Sequence, residues 1–172
     1  AILEIYQQED VQVQTKSDHS PLTQADLASH NIINQALKKL TPEIPILSEE
    51  GEKLESDIKT FWCVDPLDGT KEFIKRNGEF TVNIALIVDY LPVLGVVHIP
   101  VANETFLAMK GDGAKKIKDH QIHNLSIQSD KTRQPPIFAV SRSHLNQATQ
   151  DFIEHHQAKT VAAGSSLKLT ML

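Results

Sequence analysis

The fold is decided at Trp62-Cys63-Val64-Asp65-Pro66-Leu67-Asp68-Gly69-Thr70, where an apolar run gives way to two carboxylates, a turn dipeptide and a hydroxyl. Residues 60–64 are β-branched, aromatic or apolar, which predicts a strand. Because Pro66 lacks the N–H that a central strand needs, we expect the strand to stop and the chain to turn at Asp65. Asp68-Gly69 is a turn dipeptide that tolerates unusual backbone angles. The two carboxylates can therefore converge on one point at a strand end.

Asp65 and Asp68 are candidate metal ligands. Carboxylate oxygens suit Mg²⁺, which is commonly held by a few carboxylates while substrate phosphate oxygens complete its coordination. The nearby hydroxyl of Thr70 is suited to orienting a water. The alternative is that both acids only cap and turn the chain, because Asp and Gly are routine in turns. The residues alone leave both interpretations open.

The composition is typical of a soluble globular protein. The chain has 172 residues and is 40% hydrophobic, enough for one substantial core or for one domain with part of another. Its net charge of -5 argues against a nucleic-acid binder, which needs a concentrated basic surface. Lys71, Lys75 and Arg76 nevertheless form a local basic group. That group is either a solvated helix face or a landing place for a small polyanionic substrate.

Cys63 is the single cysteine, so an intrachain disulfide and a cysteine zinc cage are excluded. This agrees with a reducing cytoplasm. We expect Cys63 to be a buried small hydrophobe in its strand, not a nucleophile. No apolar run is long enough to span a bilayer, because Asn83 and Asp89 interrupt the most hydrophobic region.

Hydrophobic periodicity predicts an α+β part followed by the start of an α/β part. Thr23 begins a capping pattern, and apolar residues at helical spacing predict a helix from about Gln24 to Leu40. One interpretation of Asp26, at the third position of this helix, is that it only supports the cap and the helix dipole. Strands are predicted over Ile44–Leu47, Phe80–Val88, Val93–Ile99, Thr105–Met109 and Ala114–Ile117, the last four as an antiparallel meander.

The polar stretch from Lys118 to Pro136 is the best boundary candidate, which predicts one part over residues 1–134 and another over 135–172. The second part reads as a strand (Ile137–Val140), a helix (Asn146–His156), a strand (Thr160–Ala163) and a further helix. This order predicts a parallel α/β unit. Ligands of such units gather at the carboxyl ends of the strands, where Arg142, His144, Ser165 and Lys168 lie.

Four blocks resemble, in order, the signature of a known phosphatase family: Ser20-Pro21-Leu22-Thr23-Gln24-Ala25-Asp26, Leu47-Ser48-Glu49-Glu50, Asp65-Pro66-Leu67-Asp68-Gly69-Thr70 and Gly164-Ser165-Ser166-Leu167-Lys168. The chain is thereby identified as a member of the inositol monophosphatase superfamily of Mg²⁺-dependent, lithium-sensitive phosphatases. Residues 71–86 look most like those of the bacterial 3'(2'),5'-bisphosphate nucleotidases. The resemblance runs from Ile2 to Leu172 and implies the sugar-phosphatase-like layered αβαβα sandwich, incomplete in this chain.

The resemblance also implies a set of ligands for two or three Mg²⁺ ions and inhibition by Li⁺. Glu49, Asp65 and the carbonyl of Leu67 would bind the first ion, and Asp65 and Asp68 would share the second. Thr70 and Glu49 would hold the attacking water. Asp26 would accept the proton of the Thr70 hydroxyl in a hydrogen bond that fixes its orientation.

The substrate implied by the resemblance is a small bisphosphate nucleotide, 3'-phosphoadenosine 5'-phosphate, cleaved to AMP and phosphate in the cytoplasm in connection with sulfate assimilation. Peripheral association with the cytoplasmic face of the inner membrane is a further expectation, and the oligomeric state is left open. The substrate-binding residues would be Glu49, Leu67, Asp68, Gly69, Thr70, His144, Ser165 and Lys168, with Arg142 for the second phosphate. Alternatively, His144 caps a helix, Lys168 is solvated and Gly164-Ser165-Ser166 is an ordinary turn.

One departure from the family pattern is large. The family supplies another metal-binding Asp from a later Trp-Asp segment, and this chain reaches Leu172 first, so we expect a truncated chain that binds metal poorly. Two alternatives stay open. The chain belongs to a general inositol-phosphate or sugar phosphatase, against which Lys71-Glu72-Phe73 argues, or it is an inactive metal- or nucleotide-binding fragment.

Overall fold

A mixed seven-stranded sheet forms the centre of the computed structural model, which describes residues 1–8, 13–15, 21–126, 135–142 and 145–171. Within these ranges the strands are β1 (Val13–Thr15), β2 (Pro21–Thr23), β3 (Ile46–Ser48), β4 (Phe61–Asp68), β5 (Thr81–Val88), β6 (Leu91–Ile99), β7 (Glu104–Met109), β8 (Gly113–Lys118), β9 (Gln121–Leu125), β10 (Ile137–Ser141) and β11 (Lys159–Ala163). The helices are α1 (Ile2–Tyr6), α2 (Gln24–Leu40), α3 (Thr70–Ile74), α4 (Gln147–His155) and a 3-10 helix over Ser166–Thr170. The predicted α/β class is confirmed.

The central sheet is a meander with one parallel strand at its edge. Its strands lie in the order β3-β4-β5-β6-β7-β8-β9, with β3 parallel to β4 and every later pair antiparallel. Asp89 and Tyr90, which join β5 to β6, both have positive φ, as a two-residue turn that matches the strand twist requires. The antiparallel meander predicted from the sequence is therefore present.

Helix α2 packs against this sheet and has the predicted bounds. Thr23 and Asp26 form the expected capping box at its first turn. Farther along, Leu37 packs against Trp62 and Val64 of β4. A second cluster joins Ala25 to the aromatic rings of α3 and the segment before β5, where Phe73 and Phe80 are fully buried. Packing of Trp62, Val64 and Leu67 into these two clusters fixes the strand that carries the candidate carboxylates.

The predicted end of the strand at Asp65 is wrong, because β4 continues through Pro66 to Asp68. The physical reason lies in its neighbours. Strand β3 pairs with β4 only as far as Val64, so Pro66 faces an edge that needs no N–H donor. On the other side, Asp65 pairs with Asn83 and Asp68 with Thr81. The two residues between these acids lie opposite the single residue Val82, which is a β-bulge.

A second, two-stranded sheet follows the meander. Strands β10 and β11 are parallel, with α4 between them in sequence, so the predicted parallel α/β unit is present. The further helix expected after β11 is a 3-10 helix of 5 residues. The boundary near residue 134 stays a prediction, and residues 127–134 lie outside the described ranges.

One sequence expectation needs correction, and strand β9 was not predicted. Strand β9 lies inside the polar stretch from Lys118 to Pro136, and all its residues are exposed. Cys63 is exposed, because its face of the sheet borders an apolar cavity of about 470 Å³ instead of a packed layer. Its partial burial, followed by the charge of Asp65, raises the pKa of its thiol, which disfavours the nucleophilic thiolate. The short strands β1 and β2 were not predicted either. None of the described helices has the length and apolar character to cross a bilayer.

Candidate metal centre

The bulge in β4 brings Asp65 and Asp68 to the same side of the sheet. Successive side chains of a regular strand alternate between faces, so residues three apart would point in opposite directions. The extra residue at Pro66 or Leu67 restores the phase, since one bulged residue re-aims the strand that follows it. The backbone N–H of Leu67 also donates to Asp65 Oδ1 at 3.2 Å, which holds the carboxyl group against the bulge.

Asp65 lies among negative charges. Its burial, then the charge of Glu49, then that of Asp68, raise the pKa of Asp65 to about 7, and the protonated form donates a hydrogen bond to Glu49. The Leu67 N–H acts in the opposite direction by favouring the carboxylate. Glu49 and Asp68 thus place negative charge beside a buried carboxyl, and a divalent cation would neutralise this set of oxygen donors, so the residues fit Mg²⁺.

Glu49 reaches this point because β3 is parallel to β4 and ends opposite Val64, the residue before Asp65. Its backbone N–H donates to Val64 O at 3.0 Å, which extends the pairing of the two strands by one step. The Gly51 N–H then closes a turn onto Ser48 O at 3.0 Å. Two acids that are 16 positions apart in sequence therefore meet at one edge of the sheet.

As the side chains stand, no three His, Cys, Asp or Glu residues among those described converge closely enough to hold an ion. The reason is visible in the contacts of each acid. Asp65 hydrogen-bonds to Glu49, while Asp68 Oδ2 accepts hydrogen bonds from the Ser166 N–H at 2.5 Å and from Asn83 Nδ2 at 3.3 Å. Metal binding would exchange the Asp65–Glu49 hydrogen bond for coordination by both carboxylates.

The two carboxylate oxygens of Asp26 contact two different residues, Thr23 and Thr70. Its Oδ2 accepts from Thr23 N at 2.8 Å and from Thr23 Oγ1 at 2.5 Å, which caps α2. Its Oδ1 accepts from Thr70 Oγ1 at 3.1 Å, the contact that the family resemblance implies. Both sequence interpretations of Asp26, as a cap and as a partner of Thr70, therefore describe real contacts.

Gly69 is the residue that lets Thr70 reach Asp26. It has φ +94°, which L side chains rarely adopt, and a Cβ there would lie 3.0 Å from Ser165 Cβ and 3.1 Å from Glu79 O. A close approach of three segments therefore requires glycine at this position. The predicted role of Gly69 in substrate binding remains a prediction.

A cleft of about 240 Å³ opens beside these residues. Its lining includes Glu49, Asp68, Gly69, Thr70, Ser165 and Lys168, all of them predicted site residues. Asp65 instead borders the apolar cavity on the sheet face, so the cleft and that cavity lie on either side of the carboxylate cluster. Lys168 Nζ donates to Ser165 O, which folds its ammonium over the start of the 3-10 helix.

Arg142 does not line the cleft. Its guanidinium forms a two-point ion pair with Glu79, Nε to Oε2 at 2.7 Å and Nη2 to Oε1 at 2.6 Å, and it also donates to Ala162 O. Glu79 Oε2 accepts from the Gly164 N–H at 2.7 Å as well. These contacts fasten the β10–β11 sheet to the central sheet and neutralise Arg142. Its role toward a second phosphate remains a prediction, and His144 lies outside the described residues.

Sequence reasoning missed the residues that hold Asp68. Ser166 Oγ donates to Asn83 Oδ1 at 2.8 Å and lies 2.7 Å from the fully buried Thr81 hydroxyl. Asn83 is a polar residue inside the apolar strand β5, a signal that pointed to a buried polar contact. Ser166 belongs to the Gly-Ser-Ser block but was assigned no role.

Comparison with known proteins identifies the family. Residues 1–172 match the inositol monophosphatase family, and the chain belongs to it. The predicted superfamily is thereby confirmed, and its fold agrees with the sheet and helices described above.

Individual relatives are more specific. The chain is 44% identical to "3'(2'),5'-bisphosphate nucleotidase CysQ" of Escherichia coli O6:H1 over 177 residues, which cover 100% of this chain and 70% of that protein. The crystal structure of CysQ from Bacteroides thetaiotaomicron, a bacterial member of the same family, matches with a TM-score of 0.80 and 36% identity over 99% of this chain and 69% of that one.

A more distant structure shows the fold alone. It is an IMPase/NADP phosphatase complexed with Mg²⁺ and phosphate, which is 20% identical with a TM-score of 0.72 and covers 93% of this chain and 60% of that one. The two solved structures agree on the fold, and in all three matches the other protein has sequence outside the matched part.

Proposed function

We propose that this chain belongs to a Mg²⁺-dependent phosphatase that removes the 3'-phosphate of 3'-phosphoadenosine 5'-phosphate to give AMP and phosphate. The observation that carries the proposal is that Glu49, Asp68 and Thr70 line one cleft, with Asp65 beside Glu49 and with Asp26 holding the Thr70 hydroxyl. The 44% identity to a 3'(2'),5'-bisphosphate nucleotidase supports the reaction class and the substrate class.

Four groups of this chain would hold the metal. Glu49, Asp65 and the Leu67 carbonyl are proposed for one ion, and Asp65 with Asp68 for a second. When bound, Mg²⁺ supplies Lewis acidity, which lowers the pKa of a water and stabilises a leaving oxygen. Hard oxygen donors and an excess of negative charge are what such an ion requires. The number of ions and inhibition by Li⁺ remain predictions.

The residues of the chain would orient the attacking water. The Thr70 hydroxyl donates a hydrogen bond to Asp26. The lone pairs of Thr70 Oγ1 are therefore left to accept a hydrogen bond from water. A water so held points one O–H at Thr70 and the other at the Glu49 carboxylate. Its lone pairs then face the cleft, where the phosphoryl group would lie. Asp26 acts through Thr70, so it is a positioning residue.

The substrate would lie along the cleft. Leu67 to Thr70 are proposed at the scissile phosphate, and Ser165, Lys168 and His144 at the nucleotide. Lys71 and Lys168 are cations of the cleft lining, and Lys168 is proposed to face the second phosphate. Arg142 would join it only by leaving Glu79, since that ion pair occupies its guanidinium. A cleft that holds both a carboxylate cluster and a cation suits a substrate with two phosphates.

The test is a comparison of substrates. Phosphate release from 3'-phosphoadenosine 5'-phosphate and from inositol 1-phosphate should be measured with the purified chain, with and without Mg²⁺, alongside an Asp65→Asn control. We expect Mg²⁺-dependent release that favours the nucleotide and is lost in the control. Preference for inositol phosphate would instead establish the general inositol or sugar phosphatase.

An inactive metal- or nucleotide-binding fragment is the second candidate. It is favoured by the hydrogen bond between Glu49 and Asp65, which leaves no three acids of the described chain arranged around an ion. Calorimetry with Mg²⁺ and nucleotide separates the two, because binding without turnover identifies the fragment. We further propose the division into residues 1–134 and 135–172, a cytoplasmic location, a connection with sulfur metabolism and peripheral membrane association, each of which requires its own test.

A further inference from the structure

One face of α2 is aligned with the candidate metal centre. Asp26, Ser29 and His30 occupy positions i, i+3 and i+4, which lie together on a helix surface. Each of the three side chains makes a hydrogen bond that leaves the helix, and each bond ends on a different segment of the centre. The first of these bonds, from Thr70 to Asp26, was expected from the family resemblance. The other two were not.

Ser29 holds the backbone between two proposed ligands. Its hydroxyl donates to Pro66 O at 2.8 Å, and the side chain is buried with 5% of its surface exposed. Pro66 stands between Asp65 and Leu67, at the bulge where β4 has no partner on the β3 side. A carbonyl at such a point would otherwise lack a donor. The bond therefore fixes the Pro66–Leu67 peptide, whose N–H donates to Asp65 Oδ1 and which directly precedes the Leu67 carbonyl.

His30 holds the residue before Glu49. Its Nδ1 lies 2.8 Å from Ser48 Oγ, and its Nε2 lies 2.9 Å from Asn34 Nδ2. An amide nitrogen only donates, so Nε2 accepts and Nδ1 carries the proton that is donated to Ser48. Ser48 is buried at the end of β3 and immediately precedes Glu49. Asn34, one further turn along the same helix face, thus sets the tautomer with which His30 holds Ser48.

We infer that Ser29 and His30 are positioning residues of the metal centre, acting through Pro66 and Ser48 on the placement of Asp65, Leu67 and Glu49. The inference rests on the proposed function. The helix then fixes three segments of the centre from one rigid surface. Asp26 aligns Thr70, Ser29 holds the bulge, and His30 holds the end of β3. Groups that orient metal ligands in this way usually affect metal affinity about 10- to 100-fold.

The first experiment measures Mg²⁺ affinity by calorimetry in the whole chain. Ser29→Ala and His30→Gln should each weaken Mg²⁺ binding about tenfold or more. His30→Asn should bind Mg²⁺ more tightly than His30→Gln, because the Asn amide nitrogen can take the place of Nδ1 and still donate to Ser48. Asn31→Ala, an exposed position on the same helix, is the matched control and should bind like the parent. Equal affinities for His30→Gln and Asn31→Ala would overturn the inference.

A second measurement does not depend on the metal. Amide hydrogen exchange at Glu49, whose N–H bonds to Val64 O, should accelerate in His30→Gln and stay unchanged in Asn31→Ala, with melting temperatures recorded for each. If the parent chain binds no Mg²⁺, the proposed metal centre fails and exchange alone decides the inference. Identical exchange in the two variants then overturns it, whereas acceleration confined to residues 48–51 supports it.

Discussion

Thr70 and Asp26 are 44 positions apart in the chain, yet the Thr70 hydroxyl donates to Asp26 Oδ1 at 3.1 Å while Oδ2 of the same carboxylate caps helix α2. The capping bonds hold the carboxylate in one orientation, with Asp26 only 1% exposed. The direction of the Thr70 O–H is thereby determined by the start of a helix that lies far away in sequence.

This pair leads to a prediction for Thr70. Thr70→Val keeps the shape of the side chain and removes the hydroxyl, so the attacking water loses its acceptor and kcat should fall about 100-fold or more. Thr70→Ser keeps the hydroxyl and should retain most of the activity. Steady-state phosphate release measures both, and thermal melts check folding. Similar kcat values in the Val and Ser variants would show that Thr70 does not orient the water.

The crowded carboxylates lead to a prediction for Asp65. Because burial and the charges of Glu49 and Asp68 disfavour its ionisation, Asp65→Asn should raise the metal-free melting temperature at pH above 7. The same change removes a bridging ligand, so the rise in melting temperature on adding Mg²⁺, expected in the parent by mass action, should disappear. Thermal melts in EDTA and in Mg²⁺ test both effects. A variant that still responds to Mg²⁺ like the parent would contradict the assignment.

The close approach at Gly164 leads to a prediction about stability. A Cβ at this position would lie 2.5 Å from Glu72 Cγ and 3.0 Å from Glu79 O. Gly164→Ala should therefore lower the free energy of unfolding by about 1–3 kcal/mol through overpacking. Gly95→Ala is the matched control, because nothing lies within 4 Å of a Cβ there. Urea denaturation compares the two, and equal midpoints would show that Glu72 moves aside without cost.

The Glu79–Arg142 ion pair leads to a prediction about pH. The hydrogen bonds from Arg142, followed by the one from Gly164, hold the pKa of Glu79 below its ordinary value of 4.5. A carboxyl whose pKa is lowered by folding stabilises the native state above its unfolded pKa, and this stabilisation is lost as the pH falls through the folded pKa.

Glu79→Gln should therefore be less stable than the parent at pH 7, and the difference should shrink as the pH falls below about 4.5. Denaturation midpoints across pH 3–7 measure this, with the exposed Glu55→Gln as the control. A difference that stays constant down to the lowest pH would mean that the ion pair adds no pH-dependent stability.

The sequence predicted elements well where the determining contacts are local. Helix α2 begins and ends as its cap and periodicity indicate, and the β5–β6 hairpin turns at the polar residues between two β-rich runs. Most of the residues that line the cleft belong to the family blocks, because each block is a short segment with its own motif, whereas Lys71, Glu72 and Ser141 lie outside them.

What the sequence missed depends on distant partners. Whether β4 ends at Pro66 depends on where β3 stops, and the motif itself holds no information about that. Arg142 looked available for phosphate because its partner, Glu79, is 63 positions away in the chain. Capping α2 and holding Thr70 looked like alternative roles of Asp26. The local sequence around Asp26 cannot show that its two carboxylate oxygens contact different segments.

The contact between Ser166 and Asp68 also has a consequence for the order in which the protein assembles. The meander from β4 to β9 is built from neighbouring hairpins, so it can fold early with small loop-closure cost. The N–H that fixes Asp68 comes from a residue 98 positions later, which emerges from the ribosome after the sheet has formed. The carboxylate cluster is thus completed late, and a nascent chain would carry β4 before the position of Asp68 is fixed.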